Sequence, residues 1–345
     1  MTPFDGSTAR HPHHDPAPAA RSLGLGTRME VKADASRSTF LRDVLAGLSA
    51  TPKRLSPKYF YDREGSLIFD AICELPEYYV TRTELSILER SVVEMASRLG
   101  DRCRVVEPGA GSGTKTRLLL RALGPERLVE YVPVDIAGEH LENTAASLRA
   151  ELPWLEVSPF AADFSVELPD HRADGAARTV IYFPGSTIGN FDPREAERLL
   201  ASFRRAAGPG GAVLLGVDLK KDPAVLHAAY NDARDVTAAF NKNVLRRMNA
   251  ELDADFDVDA FHHYAFYAPL ASRIEMHLVS ARRQVVRLGG RAFTFEEGES
   301  LCTEHSYKYD LATAERLGRA AGLDLAERWL DDDRRFAVLL FRARG

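Results

Sequence analysis

The strongest constraint on the fold comes from Val105-Val-Glu-Pro-Gly109-Ala-Gly111-Ser-Gly113-Thr-Lys115-Thr116. This stretch joins a predicted buried strand, Arg104–Val106, to a predicted helix, Thr116–Leu123. A turn between strand and helix must reverse the chain sharply and let a ligand approach the backbone, and both needs favour glycine. The stretch therefore predicts a small-molecule site at the first strand–helix junction of an α/β sheet.

Acidic residues follow the predicted strands at the expected intervals. Glu107 closes the first strand, and Asp135 closes the second, Val129–Val134. The interval 135 − 113 = 22 fits the acidic residue ~20 positions on that accepts hydrogen bonds from ribose hydroxyls. Asp163-Phe164 closes the region where an adenine would lie. These positions predict a ligand that carries adenosine.

The glycine pattern leaves three interpretations open. A dinucleotide site requires G-x-G-x-x-G, whose last glycine brings a helix N-terminus to the pyrophosphate. Here the pattern is G-x-G-x-G, and Thr114 stands where the last dinucleotide glycine would be. This form suits S-adenosylmethionine, which has no phosphate. A methyltransferase is favoured over a dinucleotide enzyme and over a purely structural turn.

Strands and helices alternate on both sides of this stretch. The predicted strands are Arg104–Val106, Val129–Val134, Leu155–Phe160, Thr179–Phe183 and Ala212–Val217. Right-handed crossovers would make them a doubly wound, Rossmann-like sheet. A helix at Asp310–Ala321 and strands at Leu325–Trp329 and Phe336–Arg342 complete seven strands with the last one reversed. This is the class I methyltransferase sheet.

The rest of the chain predicts a second, discontinuous α+β substrate-binding lobe. It would combine residues 28–82 and 219–307, while residues 83–218 and 308–345 form the methyltransferase domain. Within the lobe, Arg273–Ser280 and Gln284–Leu288 are predicted to pair as antiparallel strands. Residues 1–27, rich in His and Pro without regular spacing, predict a disordered tail rather than a metal site.

Composition excludes several classes of function. The 345 residues carry 45 Lys+Arg and 50 Asp+Glu, so the net charge of −5 offers no basic surface for nucleic acid. No apolar run approaches the ~20 residues that span a bilayer. The three cysteines form no metal or disulfide pattern, which suits a cytoplasmic protein. We expect a cytoplasmic monomer without a metal, acting on a small molecule.

Aromatic hydroxyls are concentrated near the start of the second lobe. Tyr59, Tyr61, Tyr78 and Tyr79 fall within 21 residues. They could pack a loop onto the core, or they could form a lid whose hydroxyls face a polar ligand. Composition alone leaves both interpretations open.

Long blocks of the sequence resemble the histidine Nα-methyltransferases of ergothioneine biosynthesis. The blocks are Lys58-Tyr-Phe-Tyr-Asp62, Leu75-Pro-Glu-Tyr-Tyr79-Val-Thr-Arg-Thr-Glu84, Gly185-Ser-Thr-Ile-Gly-Asn190, Val236-Thr-Ala-Ala-Phe-Asn-Lys-Asn-Val-Leu245 and Arg273-Ile-Glu-Met276. The resemblance runs from about Ser36 to the C-terminus. It departs from the family's glycine loop at Pro108, although the spacing to Lys115 is kept.

The resemblance implies an enzyme that converts L-histidine to hercynine by three methyl transfers from S-adenosylmethionine. It implies that Gly109, Lys115, Asp135, Asp163 and Phe164 hold the donor. It also implies a substrate site made of Tyr61, Tyr78, Asn190, Tyr230, Glu304, His305 and Ser306. Asn190 and Tyr230 would bind the amino-acid backbone, with Tyr61 and Tyr78 near the amine and the ring. Glu304 and Ser306 would contact the imidazole, and Asn190 and Tyr61 are the catalytic candidates.

Simpler interpretations exist for several of these residues. Asn190 could be only a turn residue, and Tyr230 could be a surface aromatic. Glu304 could form an exposed ion pair with Lys308, which would contribute little. His305 alternates with its neighbours, so its side chain is expected to point away from theirs. An enzyme for another amino acid and a non-catalytic binding protein remain the alternative functions.

Overall fold

The computed structural model describes residues 24–111, 113–136, 138–169 and 175–344. Most of the predicted tail, residues 1–27, therefore lies outside the described residues, which begin within a helix at Gly24. The division into two lobes stays a prediction, although the strands do fall into separate sheets.

An eight-stranded sheet forms the centre of the structure. Its strands are β1 (Cys103–Pro108), β2 (Leu128–Asp135), β3 (Glu156–Val157), β4 (Phe160–Ala161), β5 (Arg178–Phe183), β6 (Ala212–Asp218), β12 (Leu323–Leu330) and β13 (Phe336–Ala343). They lie in the order β12-β13-β6-β5-β1-β2-β3, with β4 beside β2. Strand β13 runs antiparallel to both neighbours, whereas β1, β2, β5 and β6 are parallel. The predicted α/β class I methyltransferase sheet is confirmed.

Helices accompany this sheet because its central strands are largely apolar and buried. They are α3 (Tyr79–Leu99), α4 (Thr114–Arg127), α5 (Gly138–Glu151), α6 (Pro193–Ala207) and α9 (Leu311–Ala320). Every residue of β6 is buried, as expected for a strand with both faces covered. Helix α6 begins where the sequence predicts, since the Asp192 amide donates to the Glu195 carboxylate at 3.1 Å in a capping box.

Two strand predictions differ from the structure. The predicted strand Leu155–Phe160 is two short strands, because Pro159 has no amide hydrogen to continue a ladder. The pairing predicted between Arg273–Ser280 and Gln284–Leu288 is wrong. Residues Gln284–Leu288 form a hairpin with Arg291–Phe295. Gly289 and Gly290 join them with φ of 56° and 73°, a conformation typical of tight hairpin turns.

The remaining elements form a second group. Its helices are α1 (Gly24–Ser49), α2 (Arg63–Cys73), α7 (Pro223–Tyr230) and α8 (Val236–Leu252). Its strands are β7 (Phe261–Ala268), β8 (Arg273–Ser280), β9 (Gln284–Leu288), β10 (Arg291–Phe295) and β11 (Ser300–Tyr307). Strands β11, β8 and β7 form an antiparallel sheet in that order. The amide of Asn243 in α8 donates to Asp62 at 2.8 Å, just before α2.

The end of β11 meets the end of β6. The Tyr309 amide donates to the Asp218 carbonyl at 2.9 Å, and Leu219 forms an isolated bridge with Tyr309. This junction brings β11 to the edge of the central sheet where the parallel strands end. Ligands bind at that edge in open α/β sheets, so the junction places residues of the second group beside the expected donor site.

Candidate active site

A cavity of about 2010 Å³ lies between the central sheet and the second group of elements. It is lined by all the residues predicted for the site, namely Tyr61, Tyr78, Gly109, Lys115, Asp135, Asp163, Phe164, Asn190, Tyr230, Glu304, His305 and Ser306. Single-ligand pockets usually measure ~300–1,000 Å³, so this cavity has room for a donor and an acceptor together.

The glycine loop forms one wall of the cavity. Gly109 has φ of 69°, and a Cβ at this position would lie 3.4 Å from Cε1 of Phe164. Phe164 packs edge-on against Phe183 with ring centroids 5.6 Å apart. An open backbone beside a fixed aromatic ring is a surface that suits a flat, apolar base. This arrangement fits the adenosine portion of S-adenosylmethionine.

The two aspartates of the predicted donor site lie on this side of the cavity. Asp135 is the last residue of β2 and is half-buried. Asp163 accepts hydrogen bonds from the Ser165 amide at 2.9 Å and from Lys58 at 3.2 Å. Burial alone would raise the pKa of Asp163, but the bonds from Ser165 and the ammonium of Lys58 lower it below its usual value. Asp163 therefore stays ionised.

Glu107 lies behind the glycine loop. Its buried carboxylate accepts hydrogen bonds from Thr116 at 2.7 Å and from Tyr131 at 2.7 Å. These contacts tie the end of β1 to the start of α4 and to β2. Burial raises the pKa of Glu107 to about 7, although both hydrogen bonds and Lys115 oppose the shift. The structure gives Glu107 a clear role in holding the loop.

The raised pKa of Glu107 predicts a pH-dependent stability. The carboxyl binds its proton more tightly in the folded chain than at its ordinary pKa of 4.5. Its contribution is therefore complete below that value and is lost as the pH rises through about 7. Between about pH 5 and about pH 8, the free energy of unfolding should fall by about 2 kcal/mol relative to Glu107→Gln, which carries no charge. Urea titrations of the wild type and of Glu107→Gln across this pH range measure the difference. If the free energy of unfolding of the two proteins changes with pH in parallel, this prediction is contradicted.

Glu84 supports the cavity wall from behind Lys115, and the sequence did not reveal it. Its side chain is buried on α3 and its Oε2 lies 2.5 Å from Lys115 Nζ. The same carboxylate accepts from the Gly185 amide at 2.9 Å. Glu84 thus fixes Lys115 and the loop after β5 together. The only signal in the sequence is an acidic residue on a helix face that is otherwise apolar.

The space around Glu84 predicts a sensitive glycine. A Cβ on Gly216 would lie 2.3 Å from Glu84 Oε1. Gly216→Ala should displace this carboxylate from its partners and lower the free energy of unfolding by about 1–3 kcal/mol. Gly111→Ala is the matched control, because a Cβ there meets no described atom within 4 Å. Chemical denaturation measures the free energy of unfolding of both variants. Equal decreases in the two variants would show that the Glu84 contacts do not contribute to stability.

Glu304, Ser306 and Tyr230 meet at another wall of the cavity. The Tyr230 hydroxyl on α7 donates to Ser306 Oγ on β11 at 2.8 Å. Burial raises the pKa of Glu304 to about 7, and Lys308 limits the shift. Among the described residues, no side chain or backbone amide donates a hydrogen bond to the Glu304 carboxylate, whose pKa responds only to burial and to the charge of Lys308. This buried acceptor is left for a ligand.

Two of the simpler interpretations are wrong. Tyr230 is only 8% exposed, so it is no surface aromatic. Lys308 is buried and pairs with Asp218 at 3.0 Å, not in an exposed pair with Glu304. Lys221 contacts the same aspartate, as does the Tyr79 hydroxyl at 2.7 Å. The sequence did not indicate this buried cluster of Tyr79, Asp218, Lys221 and Lys308.

Asn190 and two tyrosines complete the cavity wall. Asn190 ends a 3₁₀ turn, Thr187–Asn190, so the turn interpretation is right about its backbone, while the residue also lines the cavity. Tyr61 packs edge-on against Phe240 at 5.6 Å, and Tyr78 packs against Phe69 at 6.2 Å. Burial raises the pKa of both tyrosines well above 10, so their hydroxyls stay protonated.

His305 points elsewhere along β11. Its Nδ1 lies 3.2 Å from the Asp192 carboxylate, which also accepts from the Tyr307 hydroxyl at 2.9 Å. Alternation along the strand places Glu304 and Ser306 on the opposite face. His305 reaches the cavity at its Asp192 side, and its predicted contact with substrate stays a prediction.

The sheet with its reversed β13, the glycine loop and the acidic strand ends define an S-adenosylmethionine-dependent methyltransferase. The model of a family described as histidine-specific, SAM-dependent methyltransferases matches residues 40–343. The chain belongs to this family, is an amino-acid methyltransferase, and uses S-adenosylmethionine as its methyl donor.

Relatives with established names agree with this assignment. A histidine N-alpha-methyltransferase of Mycobacterium tuberculosis is 42% identical, and the match covers 89% of this chain and 96% of the relative. Its counterpart in Mycolicibacterium smegmatis is 40% identical over the same shares of the two chains. Ergothioneine biosynthesis protein 1 of Neurospora crassa is 29% identical, covering 81% of this chain and 32% of the longer relative. None of the helices in the described part of the chain combines the length and the hydrophobicity that a membrane span requires.

Proposed function

We propose that the protein transfers three methyl groups to the α-amine of L-histidine and yields hercynine, a step of ergothioneine biosynthesis. The observation that carries this proposal is the buried Glu304 carboxylate, which lines the cavity beside the Ser306 hydroxyl and receives no hydrogen bond from the part of the chain that the structure describes. An acceptor beside a hydroxyl matches the two nitrogens of an imidazole ring. The named functions of the mycobacterial and fungal relatives support the same substrate and pathway.

The donor would lie along the glycine loop. We assign Gly109 and Phe164 to its adenosine, Asp135 and Asp163 to its polar edges, and Lys115 to the charged end of its amino-acid portion. S-adenosylmethionine supplies a methyl group on a positively charged sulfur. The protein need only hold the acceptor amine in line with that methyl group, and such positioning can contribute ~7–11 kcal/mol.

The acceptor amine must be uncharged, because its lone pair attacks the methyl carbon. Tyr61 and Tyr78 keep their own protons, so neither removes one from the amine as a tyrosinate. Their hydroxyls can orient the amine through hydrogen bonds. Asn190 can donate and accept at once, and we assign it to the carboxylate and amine of the substrate. Asn190 and Tyr61 thus contribute to the reaction by orienting the substrate amine towards the methyl group.

Discrimination among amino acids would come from the opposite end of the substrate. Glu304 accepts from one ring N–H, and Ser306 bonds the other nitrogen. A site with such buried polar groups rejects substrates that leave them unpaired, by ~10⁴-fold in favourable cases. Tyr230 donates its one hydroxyl hydrogen to Ser306 in this structure, so we assign Tyr230 to the support of this serine, and its predicted contact with the substrate backbone stays a prediction.

A competition experiment tests the substrate. The purified protein is incubated with S-adenosylmethionine and an equimolar mixture of the common amino acids, and products are separated by mass. We expect methyl groups on histidine alone. If another amino acid is methylated while histidine is unchanged, the protein is still an amino-acid methyltransferase, but histidine is refuted as its substrate.

The organisation of the chain completes the proposal. We propose that residues 28–82 and 219–307 act as the substrate lobe and that the protein works as a cytoplasmic monomer. Cys73, Cys103 and Cys302 are free thiols, which suits a reducing compartment. Sedimentation of the purified protein tests the monomer.

A further inference from the structure

We propose that Lys308 forces the Ser306 hydroxyl to act as a hydrogen-bond donor and thereby restricts the site to the uncharged imidazole ring of histidine. This inference rests on the proposed function and adds a positioning residue to it. It begins from the buried cluster of Tyr79, Asp218, Lys221 and Lys308, which the chemistry above leaves without a role.

Lys308 has all three of its N–H groups committed. They point to Ser306 Oγ at 2.9 Å, to Asp218 Oδ2 at 3.0 Å and to the Tyr230 hydroxyl at 3.2 Å. An ammonium group has donors and no acceptor. Both hydroxyl oxygens must therefore accept from Lys308, whatever else they bind.

The lone pairs of Ser306 are then fully used. Its oxygen accepts from Lys308 and also from the Tyr230 hydroxyl at 2.8 Å. A serine hydroxyl has two lone pairs and one hydrogen. Only the hydroxyl hydrogen remains available, so Ser306 can donate a hydrogen bond to a ligand but cannot accept one. Without Lys308, one lone pair would be open and Ser306 could accept instead.

The two ring contacts now have opposite character. Glu304 offers an acceptor, and Ser306 offers a donor. Neutral imidazole has one N–H and one bare nitrogen, so it satisfies both contacts. Imidazolium has two N–H groups, and one of them would face the Ser306 hydrogen. The cluster behind Ser306 therefore selects the protonation state of the substrate.

The buried charges around Lys308 keep it an ammonium. Burial alone would lower the pKa of Lys308, but Tyr230 and Asp218 raise it above its usual value. Asp218 itself stays ionised, because Lys308 and Lys221 lower its pKa against the effect of burial. The donor character of Ser306 thus persists over the whole neutral range.

Other ionisable groups surround the two ring contacts, and a test must separate them from the ring. Besides the ring contact Glu304 itself, they are Tyr61, Tyr78, Tyr79, Tyr230, Tyr309, Asp218, Lys221 and, behind the Tyr230 backbone, His263. Burial raises the pKa of each tyrosine above 10. The pKa of Glu304 is about 7 and that of Lys221 about 8, so these two change charge near neutrality. Burial lowers the pKa of His263 below its ordinary value of 6.5.

A pair of ligands removes these protein groups from the measurement. Triazolylalanine replaces one ring carbon of histidine by nitrogen, and its ring stays uncharged between about pH 5 and about pH 8. A change in the protonation of a protein group affects the binding of both ligands. The ratio of the two affinities therefore depends on the protonation of the histidine ring. Calorimetry on the complex with S-adenosylhomocysteine should show this ratio falling about tenfold per pH unit below the histidine ring pKa of ~6.5. A ratio that does not change with pH would overturn the proposal.

Variants then assign the effect to Lys308. Lys308→Met should flatten the pH dependence of the ratio, because Ser306 regains a lone pair. Lys221→Met removes the same charge from the same cluster without a contact to Ser306 or Tyr230 among the described residues, and it should keep the wild-type slope. Equal slopes in the two variants would overturn the role of Lys308.

Two further readouts keep the test decisive. If Lys308→Met no longer binds S-adenosylhomocysteine, Ser306→Ala replaces it and must flatten the ratio in the same way, because the donor is gone. A wild-type slope in Ser306→Ala would overturn the proposal. If histidine fails to bind or react at any pH, the proposed function itself is refuted. A constant ratio with normal histidine turnover refutes only this inference.

Discussion

Glu304→Ala is expected to raise the KM for L-histidine about 100-fold while leaving the affinity for S-adenosylhomocysteine within about threefold. The carboxylate is buried and has no hydrogen-bond donor from the protein among the described residues. Its loss would leave a ring N–H of the substrate without a partner in a buried site. A hydrogen bond to a charged group contributes ~1.5–3 kcal/mol, which corresponds to one to two powers of ten in affinity.

The control for this variant lies on the neighbouring strand. Glu275 in β8 pairs with His305 in the register, but its carboxylate binds Arg273 and does not line the cavity. Glu275→Ala should leave the KM for histidine within a few-fold of wild type. Initial rates at saturating donor give the KM for histidine, and calorimetry gives the affinity for S-adenosylhomocysteine. If Glu304→Ala weakens the two ligands equally, Glu304 has a structural role and the imidazole contact is refuted.

Asp135→Ala is expected to weaken binding of S-adenosylmethionine by about 100-fold, and histidine binding far less. The residue ends β2 at the edge of the cavity, where a carboxylate can accept from both ribose hydroxyls. Charge-assisted hydrogen bonds are about twice as strong as neutral ones, so the loss of two is a large effect. Calorimetric titration of S-adenosylhomocysteine measures it directly.

A surface aspartate provides the comparison for Asp135. Asp324 pairs with Arg344 on the exposed end of β12, and such pairs contribute little. Asp324→Ala should bind donor as the wild type does. A donor affinity that survives Asp135→Ala would remove this residue from the site and with it the assignment of the second strand end.

The sequence predicted those parts of the site that depend on local signals. The glycine loop, Asp135 and Asp163 each follow a strand, and strand ends of a parallel sheet meet at one edge. The hairpin of β9 and β10 was missed, although Gly289 and Gly290 signal such a turn. Local patterns therefore predicted the cavity wall at the ends of the parallel strands better than the strand pairing in the second group of elements.

The buried charges could not be predicted in the same way. Lys308 follows β11 and Asp218 ends β6, and only the docking of these strand ends brings the two charges within 3.0 Å. Glu84 reaches Lys115 from a different helix. A charged residue in a sequence is by default a solvated one. The partner that makes its burial tolerable is set by tertiary packing, so no spacing along the chain reveals it.

The mass of the product formed from L-histidine and S-adenosylmethionine decides whether the protein trimethylates the histidine amine. We expect all of the histidine to be converted to a species heavier by three methyl groups, with every methyl on the α-nitrogen by nuclear magnetic resonance. Unchanged histidine in a protein that binds S-adenosylhomocysteine, or a methyl group on the ring, would contradict it.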